Sequence, residues 1–207
     1  SVDANIGLNR NKVTELYGDK SEIIVGDGAG IAGSASKLLK PGLDVDTWYL
    51  TEWAGVDPET GKAQWYKPDA NGERVKTFSY GDASKNQIAI DRYTPDFFGG
   101  FSTNLSWKNL DMSAVFGYSV GGKIYNYARA EYDSDGTYTD RNQMKLQDGW
   151  SRWEKPGDIA THPQGIYNNG TNSNKASSRF LEDGSYLKLR NLTIGYNLAL
   201  PEWYISN

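Results

Sequence analysis

Two pairs of acidic residues are the side chains in this sequence that could do hydrolytic chemistry. Asp57 lies two positions before Glu59, and Asp133 lies two positions before Asp135. A glycosidase places paired carboxyl groups of this kind on either side of a sugar linkage. Both pairs occur in turn-forming sequence, where carboxylates are expected to be solvated. We therefore interpret both pairs as turn residues.

The sequence is equally poor in signals for metal ions and cofactors. Its 23 glycines include neither a P-loop nor a dinucleotide fingerprint, and it has no cysteine. The single histidine, His162, argues against a zinc site or a catalytic triad and is interpreted as a loop residue. Residues 69–72 begin like a calcium loop, but Tyr80 stands where the closing acidic ligand belongs. We expect no metal, no cofactor and no enzymatic activity.

Aromatic residues in the loops are stronger candidates for ligand contact. An exposed aromatic face can stack on a sugar ring or anchor a partner protein. The alternative is that these rings pack the loops together. The candidates for contact with a substrate or with a protein that covers it are Trp48, Trp65, Tyr66, Trp150 and Trp153.

The elements that must position these residues are β-strands. Segment 97–120 predicts one hairpin with its turn at Lys108-Asn109, because apolar residues alternate with small polar residues on both sides of the turn. Segments 2–8 and 43–56 each predict a further strand, and residues 63–66 are expected to pair back on the latter. The rest of 10–43 is expected to be loop with weak strands, and 121–184 to be a long, mostly irregular excursion.

The last predicted strand, 185–200, changes face part of the way along. Leu187 and Leu189 share one parity, whereas Leu192, Ile194 and Tyr196 share the other. A shift of one residue moves every later side chain to the opposite face of a sheet. We therefore expect a bulge or kink near Arg190-Asn191. In total the sequence predicts about six strands.

The apolar face of these strands could meet either lipid or a protein core. The return strand of the hairpin has 11 residues, which at about 3.3 Å per residue and a tilt near 40° rises roughly 28 Å, close to the ~25 Å apolar band of a bacterial barrel. A soluble β-sandwich with one solvated face would show the same alternation. The candidates for lipid contact are Leu105, Trp107, Leu110, Met112, Phe116, Tyr118, Leu192, Ile194 and Tyr196.

Composition excludes two other classes of protein. The net charge of -4 comes from scattered residues and gives no electrostatic footprint for nucleic acid. No window approaches the roughly 20 apolar residues of a membrane helix. With 38% hydrophobic residues, the chain is nevertheless able to bury a sizeable core.

Several segments resemble one known family. Residues 94–101, TPDFFGGF, followed by 106–111, SWKNLD, are similar to a hairpin in the C-terminal barrel of the SusC/RagA family of TonB-dependent outer-membrane transporters. Further segments that resemble this family in the same order are 9–13, 53–61, 152–158 and 181–196. Because these matches are colinear over nearly the whole chain, the resemblance is specific.

The resemblance implies a fold, a location and partners. The fold is all-β: a fragment of a large antiparallel transmembrane β-barrel with long extracellular loops, in which residues 1–207 are part of one barrel domain and the plug domain and final strands are absent. The implied location is the outer membrane of a bacterial cell. The implied partners are outer-membrane lipid, a SusD-like surface lipoprotein that forms a lid, the TonB complex acting through the missing N-terminal part, and an oligosaccharide or peptide substrate.

Two functions follow from these interpretations. The first is TonB-dependent import of glycans or peptides across the outer membrane, in which this chain supplies barrel wall and extracellular loops. The second is a secreted β-sandwich that binds carbohydrate through its tryptophans.

Overall fold

The computed structural model describes residues 1–26, 35–168, 170 and 172–198. Within these residues most of the regular secondary structure is antiparallel β-strand, with long irregular segments between the strands. The strands and α-helices in chain order are β1 (Val2–Gly7), β2 (Ile23–Gly26), β3 (Ser36–Leu39), β4 (Thr47–Leu50), β5 (Trp53–Val56), β6 (Ala63–Pro68), β7 (Arg74–Thr77), α1 (Tyr80–Ala83), β8 (Ile88–Arg92), β9 (Phe97–Trp107), β10 (Leu110–Val120), β11 (Lys123–Tyr125), α2 (Tyr127–Tyr132), β12 (Leu181–Asp183) and β13 (Tyr186–Tyr196). Short 3-10 helices span Ser84–Asn86 and Ser178–Phe180.

The chain divides into two compact units. The first unit contains Ser1–Arg10, Thr94–Gly122 and the described residues from Asp183 onward. The second unit contains Asn11–Tyr93 and Lys123–Glu182, apart from the residues outside the described ranges. The expectation that residues 1–207 are part of one barrel domain stays a prediction.

The first unit is a four-stranded antiparallel sheet in the order β1-β9-β10-β13. Strands β9 and β10 form the predicted hairpin, with Leu110 opposite Trp107 and Val120 opposite Phe97. Lys108 turns the chain with φ of 53°, a left-handed conformation common in two-residue hairpin loops. The strand predicted at 2–8 is present as β1, which pairs with β9. The hairpin prediction is confirmed.

Strand β13 carries the predicted bulge. Val115 of β10 pairs with Asn191, but the next residue, Phe116, pairs with Leu189, so that Arg190 has no partner opposite it. The extra residue corrects the parity of the strand, because Leu189 now projects to the same face as Leu192. The prediction of a bulge near Arg190-Asn191 is confirmed. Residues 199 and 200, the end of the predicted strand, lie outside the described residues.

The second unit contains several shorter sheets. Strands β2, β3, β4 and β8 form one sheet in that order, and β5, β6 and β7 form another. Strand β11 pairs with β12, and α2 follows β11. Asn126 caps α2, since its side chain accepts a hydrogen bond from the backbone N–H of Arg129. The prediction that residues 63–66 pair back is confirmed by the pairing of β6 with β5.

The core of the second unit lies around a few large aromatic residues. One cluster contains Trp48, Leu50, Tyr125 and Phe180, and a smaller one surrounds Trp65. Tyr125 is only 5% exposed. It therefore packs in this core.

One strand prediction was wrong in its extent. Residues 43–56 contain two strands that belong to different sheets, β4 and β5, rather than one. The break falls at Thr51, which is fully buried and forms an isolated bridge with Ser177 instead of continuing the ladder of β4. Short strands of this kind, which pair only with neighbours in the loops, also explain why the described residues contain more than the six strands expected.

A separate finding concerns helices. None of the helices in the described part of the chain is long and apolar enough to cross a membrane.

Candidate functional site

One face of the four-stranded sheet is apolar from edge to edge. Paired residues of antiparallel strands project to the same face, so the register sets Met112 between Leu105 and Ile194. All nine residues predicted to contact lipid lie on this face: Leu105, Trp107, Leu110, Met112, Phe116, Tyr118, Leu192, Ile194 and Tyr196. Met112, Phe116 and Tyr118 are half-buried, and the other six are between 41% and 68% exposed. We call this surface the apolar face.

Near one end of the apolar face, the side chain of Tyr118 packs over Gly99. Gly99 pairs with Tyr118, and the tyrosine ring lies over Gly99 so that its hydroxyl reaches the backbone of β1. There it donates a 3.0 Å hydrogen bond to the carbonyl oxygen of Asn5. A Cβ atom at Gly99 would lie 2.7 Å from the tyrosine hydroxyl. The contact links three strands and requires glycine at this position.

The opposite face of the sheet is small and polar, and we call it the polar face. Strand β10 places Asp111, Ser113 and Ser119 on it. Two glycines, Gly100 and Gly117, pair directly across β9 and β10 and add no side chain of their own to this face. The polar face also carries Asp3, Ser102, Asn104, Ser106, Lys188, Asn191 and Thr193, together with the larger apolar or aromatic residues Phe98, Val115 and Tyr186. Such a surface is suited to contact with water rather than with a dry core.

Three of the five predicted aromatic contact residues are buried in the second unit. Trp48 is 5% exposed and donates a hydrogen bond from Nε1 to the carbonyl oxygen of Lys123 at 2.8 Å. Trp65 is fully buried, with its ring edge-on to Trp53. Trp153 is 8% exposed. Because these rings present no free face, they pack the loops together, which was the alternative considered for them.

Trp153 joins two of the segments that resemble the transporter family. Its ring lies directly against Gly61, and its Nε1 donates a 2.7 Å hydrogen bond to the carbonyl oxygen of Pro58. The backbone N–H of Gly157 donates to the same carbonyl at 2.9 Å. Segments 53–61 and 152–158 are therefore two halves of one contact, although about ninety residues separate them in the sequence.

The two remaining aromatic candidates are half-buried. The guanidinium of Arg74 stacks on the ring of Tyr66 with Cζ 3.5 Å from the ring centroid, and Arg74 also forms an ion pair with Glu52. Tyr66 lines a cleft of about 360 Å³. Trp150 lies under the guanidinium of Arg129, with Cζ 4.6 Å from the ring centroid. Tyr66 and Trp150 thus keep part of their surface available to a ligand.

Arg129 also lines a second cleft, of about 500 Å³. Its wall carries Tyr132 and several amide side chains, which supply both hydrogen-bond donors and acceptors. The amide residues are Asn126, Asn142, Gln143 and Gln147. Neutral amides of this kind can bind either hydroxyl groups or peptide groups.

A cluster of ionisable residues is largely buried in the second unit. Asp133 and Asp135 have no exposed surface, and His162 is 1% exposed. Arg179 donates from Nη1 to Oδ2 of Asp135 at 2.5 Å and from Nη2 to Oδ2 of Asp133 at 3.3 Å. Arg152 donates to Oδ1 of Asp135 at 2.8 Å. We call these five residues the buried charge network.

Neighbouring groups extend the buried charge network. Nε2 of His162 lies 2.8 Å from Oδ2 of Asp133, and its Nδ1 lies 2.8 Å from Oγ1 of Thr161. Ser173 donates a 2.7 Å hydrogen bond to Oδ2 of Asp135. The network therefore joins four separate stretches of segment 123–182. Buried charges are tolerated when they are paired and hydrogen-bonded in this way.

The environment of Asp135 changes its acidity. Burial is the largest single effect and would raise the pKa of its carboxyl group. The charge of Arg179, together with hydrogen bonds from Arg179, Arg152 and Ser173, outweighs burial and lowers the pKa below its ordinary value of 3.8. Asp135 is thus held as a carboxylate that binds arginine, not as a proton donor.

The interpretation of Asp133 and Asp135 as solvated turn residues was therefore wrong. Both carboxylates are buried because arginines from distant positions compensate their charge. His162 does lie in a loop, but it is an interior residue of that loop. The spacing of the two aspartates is visible in the sequence, whereas nothing in the sequence states which of its arginines fold back onto them.

No group of three or more residues that could hold a metal ion is present among the described residues. Asp69 is a turn residue, as interpreted from the sequence: its Oδ1 accepts hydrogen bonds from the backbone N–H groups of Asn71 and Glu73. Asp57 likewise accepts a hydrogen bond from the backbone N–H of Thr60 in the next turn.

Comparison with known proteins gives relatives along the whole chain. No family model matches the sequence. TonB-dependent receptor P3 of Formosa agariphila is 27% identical over 222 residues, which cover 100% of this chain and 20% of that protein. TonB-dependent receptor P26 of the same organism is 29% identical over 213 residues, which cover 95% of this chain and 20% of that protein. The chain thus spans about a fifth of the length of these curated relatives.

Solved structures of transport proteins also match nearly the whole chain. A structure of the RagAB peptide transporter matches with a TM-score of 0.70 and 28% identity, over 94% of this chain and 20% of that one. A structure of the RagAB peptide importer in a closed-closed state matches with a TM-score of 0.67 and 27% identity, over 99% of this chain and 21% of that one. At this identity and TM-score the matched part of this chain shares its fold with the matched part of those proteins.

These comparisons confirm the resemblance to TonB-dependent outer-membrane transporters of the SusC/RagA type. They also confirm the expected all-β fold, part of a large antiparallel barrel, and the expected location in the bacterial outer membrane. Import across that membrane is supported at this general level, and the relatives are receptors and transporters rather than enzymes. The comparisons do not favour the secreted carbohydrate-binding sandwich.

Proposed function

We propose that this chain is part of a TonB-dependent transporter that imports peptides or glycans across the bacterial outer membrane. The observation that carries the proposal is the two-faced sheet of the first unit. Its long strands have 11 residues each, with an exposed apolar face and a small polar face. Strands of this length and pattern match the apolar thickness of an outer membrane.

The apolar face is proposed to contact lipid. In water its exposed side chains would cost free energy at about 25 cal/mol per Å² of apolar area, and in hydrocarbon they would not. Trp107 and Tyr196 lie at the short-turn end, and Phe97 and Tyr118 lie at the other end. Aromatic residues at both ends of an apolar band are typical of strands that cross an outer membrane.

The polar face and the second unit are proposed to handle the solute. The polar face would line an aqueous lumen, and the second unit would form extracellular loops. Within those loops Tyr66 and Trp150 are the proposed contacts to a substrate or to a SusD-like lid protein, because part of each ring is exposed. Trp48, Trp65 and Trp153 would support this surface from inside.

The partners are proposed from the similar proteins. RagAB is described as a peptide transporter and importer, which favours peptides over glycans as the substrate of this chain. A SusD-like surface lipoprotein and the TonB complex are the proposed protein partners, the latter acting through the rest of a longer protein. The buried charge network would keep the loops folded between rounds of transport.

The experiment that tests this proposal uses the gene product that contains the chain. After membrane fractionation the protein should sediment with the outer membrane and require detergent for release, and deletion of its gene should abolish growth on peptide or oligosaccharide mixtures that wild-type cells import. A protein released from the cell without detergent would overturn the transporter and support the secreted carbohydrate-binding sandwich. Growth of the deletion strain at the wild-type rate on every such mixture would also overturn the proposal.

A further inference from the structure

Arg190 holds an unusual place in the four-stranded sheet. It is the extra residue of the bulge in β13, because its neighbours Leu189 and Asn191 pair with Phe116 and Val115. The extra residue of a bulge is free of the strict alternation of the strand, and bulges often redirect one side chain. The side chain of Arg190 can therefore be set by the bulge and by its contacts rather than by the pleat.

A glycine gives the Arg190 side chain its space. A Cβ atom at Gly117 would lie 2.5 Å from Nε of Arg190 and 3.4 Å from its Cδ and Cζ. Any side chain at position 117 would thus displace the guanidinium. Gly117 projects to the polar face, so the side chain of Arg190 lies on that face, next to Gly117 of strand β10. Two independent features, the bulge and the glycine, define its position.

The hydrogen-bond donors of the Arg190 guanidinium are not used within the sheet. Among the residues that the structure describes, it forms no ion pair and no hydrogen bond. Asp111, an acidic residue of the same face, accepts a hydrogen bond from Asn197 at 2.9 Å and lies near the short turn. Lys188, two residues before Arg190, pairs with Gly117 and projects to the polar face as well. Asp3 of β1, which pairs with Ser102, is a second acidic residue of this face. The two cations outnumber it in the part of the polar face nearer the long loops.

We propose that Arg190, assisted by Lys188, binds a carboxylate group of the solute that passes along the polar face. The planar guanidinium presents paired N–H donors that match a carboxylate, and the absence of a side chain at Gly117 leaves room for it on the wall. Phe98 and Tyr186 lie on the same face at the end toward the long loops. A solute entering from that end meets aromatic rings and then the two cations, before it reaches the level of Asp3 and, further on, Asp111. This inference rests on the proposed function, because the polar face lines an aqueous path only in a barrel.

The test uses the full-length protein purified in detergent and probes that differ only in their carboxylates. The probes are a tryptic digest of casein and a set of oligogalacturonates, each with free carboxylates and after methyl esterification. Wild-type protein is expected to bind the free form of one set about tenfold more tightly than its ester. Arg190→Gln should abolish this preference while it leaves binding of the ester unchanged. Lys108→Gln, which removes a cation at the short turn, should keep the preference.

A second variant tests whether the position of the Arg190 guanidinium matters, and not only its positive charge. Gly117→Ala keeps Arg190 but displaces its guanidinium, so it should reduce the preference for the free carboxylate without changing the net charge. If Arg190→Gln does not reach the outer membrane, Arg190→Lys and Gly117→Ala provide the same comparison with the charge retained.

Three results would overturn the proposal. Equal binding of free and esterified probes by the wild-type protein would exclude carboxylate recognition while leaving transport intact. Binding of neither form of either set by the wild-type protein would overturn the proposed function and this inference together. A lower melting temperature of Arg190→Gln without any probe, with the preference unchanged, would show that Arg190 pairs with a carboxylate of the protein itself.

Discussion

Arg179 and Asp135 form a two-point ion pair in the interior of the second unit. Nη1 donates to Oδ2 at 2.5 Å and Nη2 donates to Oδ1 at 3.2 Å. Their side chains are 2% and 0% exposed. This geometry uses the planar fork of arginine, which lysine does not have. Arg152 and Ser173 bind the same carboxylate, so a single aspartate connects three other positions of segment 123–182.

Asp135→Asn should therefore unfold the loops rather than the sheet. The substitution leaves the buried Arg179 without the carboxylate that binds it at two points, which typically costs about 3–5 kcal/mol. Hydrogen exchange of the full-length protein should show lost protection throughout 123–182 and unchanged protection in β9 and β10. Asp140→Asn removes a carboxylate that pairs with Arg141 at the surface, and it should change exchange little. Equal effects of the two variants would contradict the structural role of the network.

The same ion pair predicts how the loops respond to acid. The pKa of Asp135 is lowered in the folded protein, so its carboxylate contributes stability that is fully present above the ordinary value of 3.8 and is lost as pH falls through the folded pKa. Protease resistance of segment 123–182 is thus expected to be constant between pH 7 and about pH 5 and to fall below about pH 4. Arg179→Leu, which removes the main partner of Asp135, should shift the loss of resistance to higher pH. An unchanged midpoint in that variant would contradict the assignment.

How much of this architecture the sequence predicts depends on the range of the interactions. The hairpin at 97–120 and the bulge at Arg190 follow from side-chain parity, which is local and strict because one face of the sheet is apolar. The buried charge network does not follow, because Arg179 and Asp133 are 46 residues apart and turn-forming sequence is compatible with either burial or solvation. The split of 43–56 into β4 and β5 was not predicted for the same reason. The residue that ends the β4 ladder, Thr51, forms its bridge with the distant Ser177.

The candidate contact residues also divide into those predicted from local alternation and those whose burial depends on distant parts of the chain. Alternation placed all nine apolar candidates on one face of the sheet. Residue type alone could not separate the buried Trp65 from the half-buried Trp150, because both occur in polar sequence and burial is decided by partners elsewhere in the chain.

Gly61→Ala is expected to separate the two segments that Trp153 joins. Gly61 has φ of +67°, where a residue with Cβ costs roughly 1–2 kcal/mol, and the new methyl group would collide with the Trp153 ring. Gly157→Ala is the matched control, since Gly157 has φ of +92° but no atom lies within 4 Å of its Cβ position. Gly61→Ala should expose the loop at 152–158 to protease more than Gly157→Ala does. Equal susceptibility would mean that backbone strain alone is responsible.

Gly99→Ala should impair assembly of the sheet. Its methyl group would collide with the carbonyl oxygen of Asn5 and would lie 2.7 Å from the Tyr118 hydroxyl, which would break the 3.0 Å hydrogen bond to Asn5 and separate β1 from β9. Gly195→Ala, in the same sheet, meets no atom within 4 Å and should be tolerated. The measurement is the amount of folded protein in the outer membrane, judged by its resistance to unfolding in detergent. Normal assembly of Gly99→Ala would show that β1 adjusts to fill the space.

Adjacent residues on β13 test which face of the sheet meets lipid. Leu192 is 52% exposed on the apolar face, opposite Ala114 near the middle of β10, and Thr193 projects to the polar face. A lysine at the middle of a lipid-facing surface costs about 2–4 kcal/mol, whereas a lysine facing water costs little. Leu192→Lys should therefore lower the free energy of unfolding of the full-length protein in lipid vesicles by that amount, and Thr193→Lys should leave it nearly unchanged. The opposite order would place water on the apolar face and lipid on the polar face, and equal costs would remove the support that this sheet gives to a membrane-spanning wall.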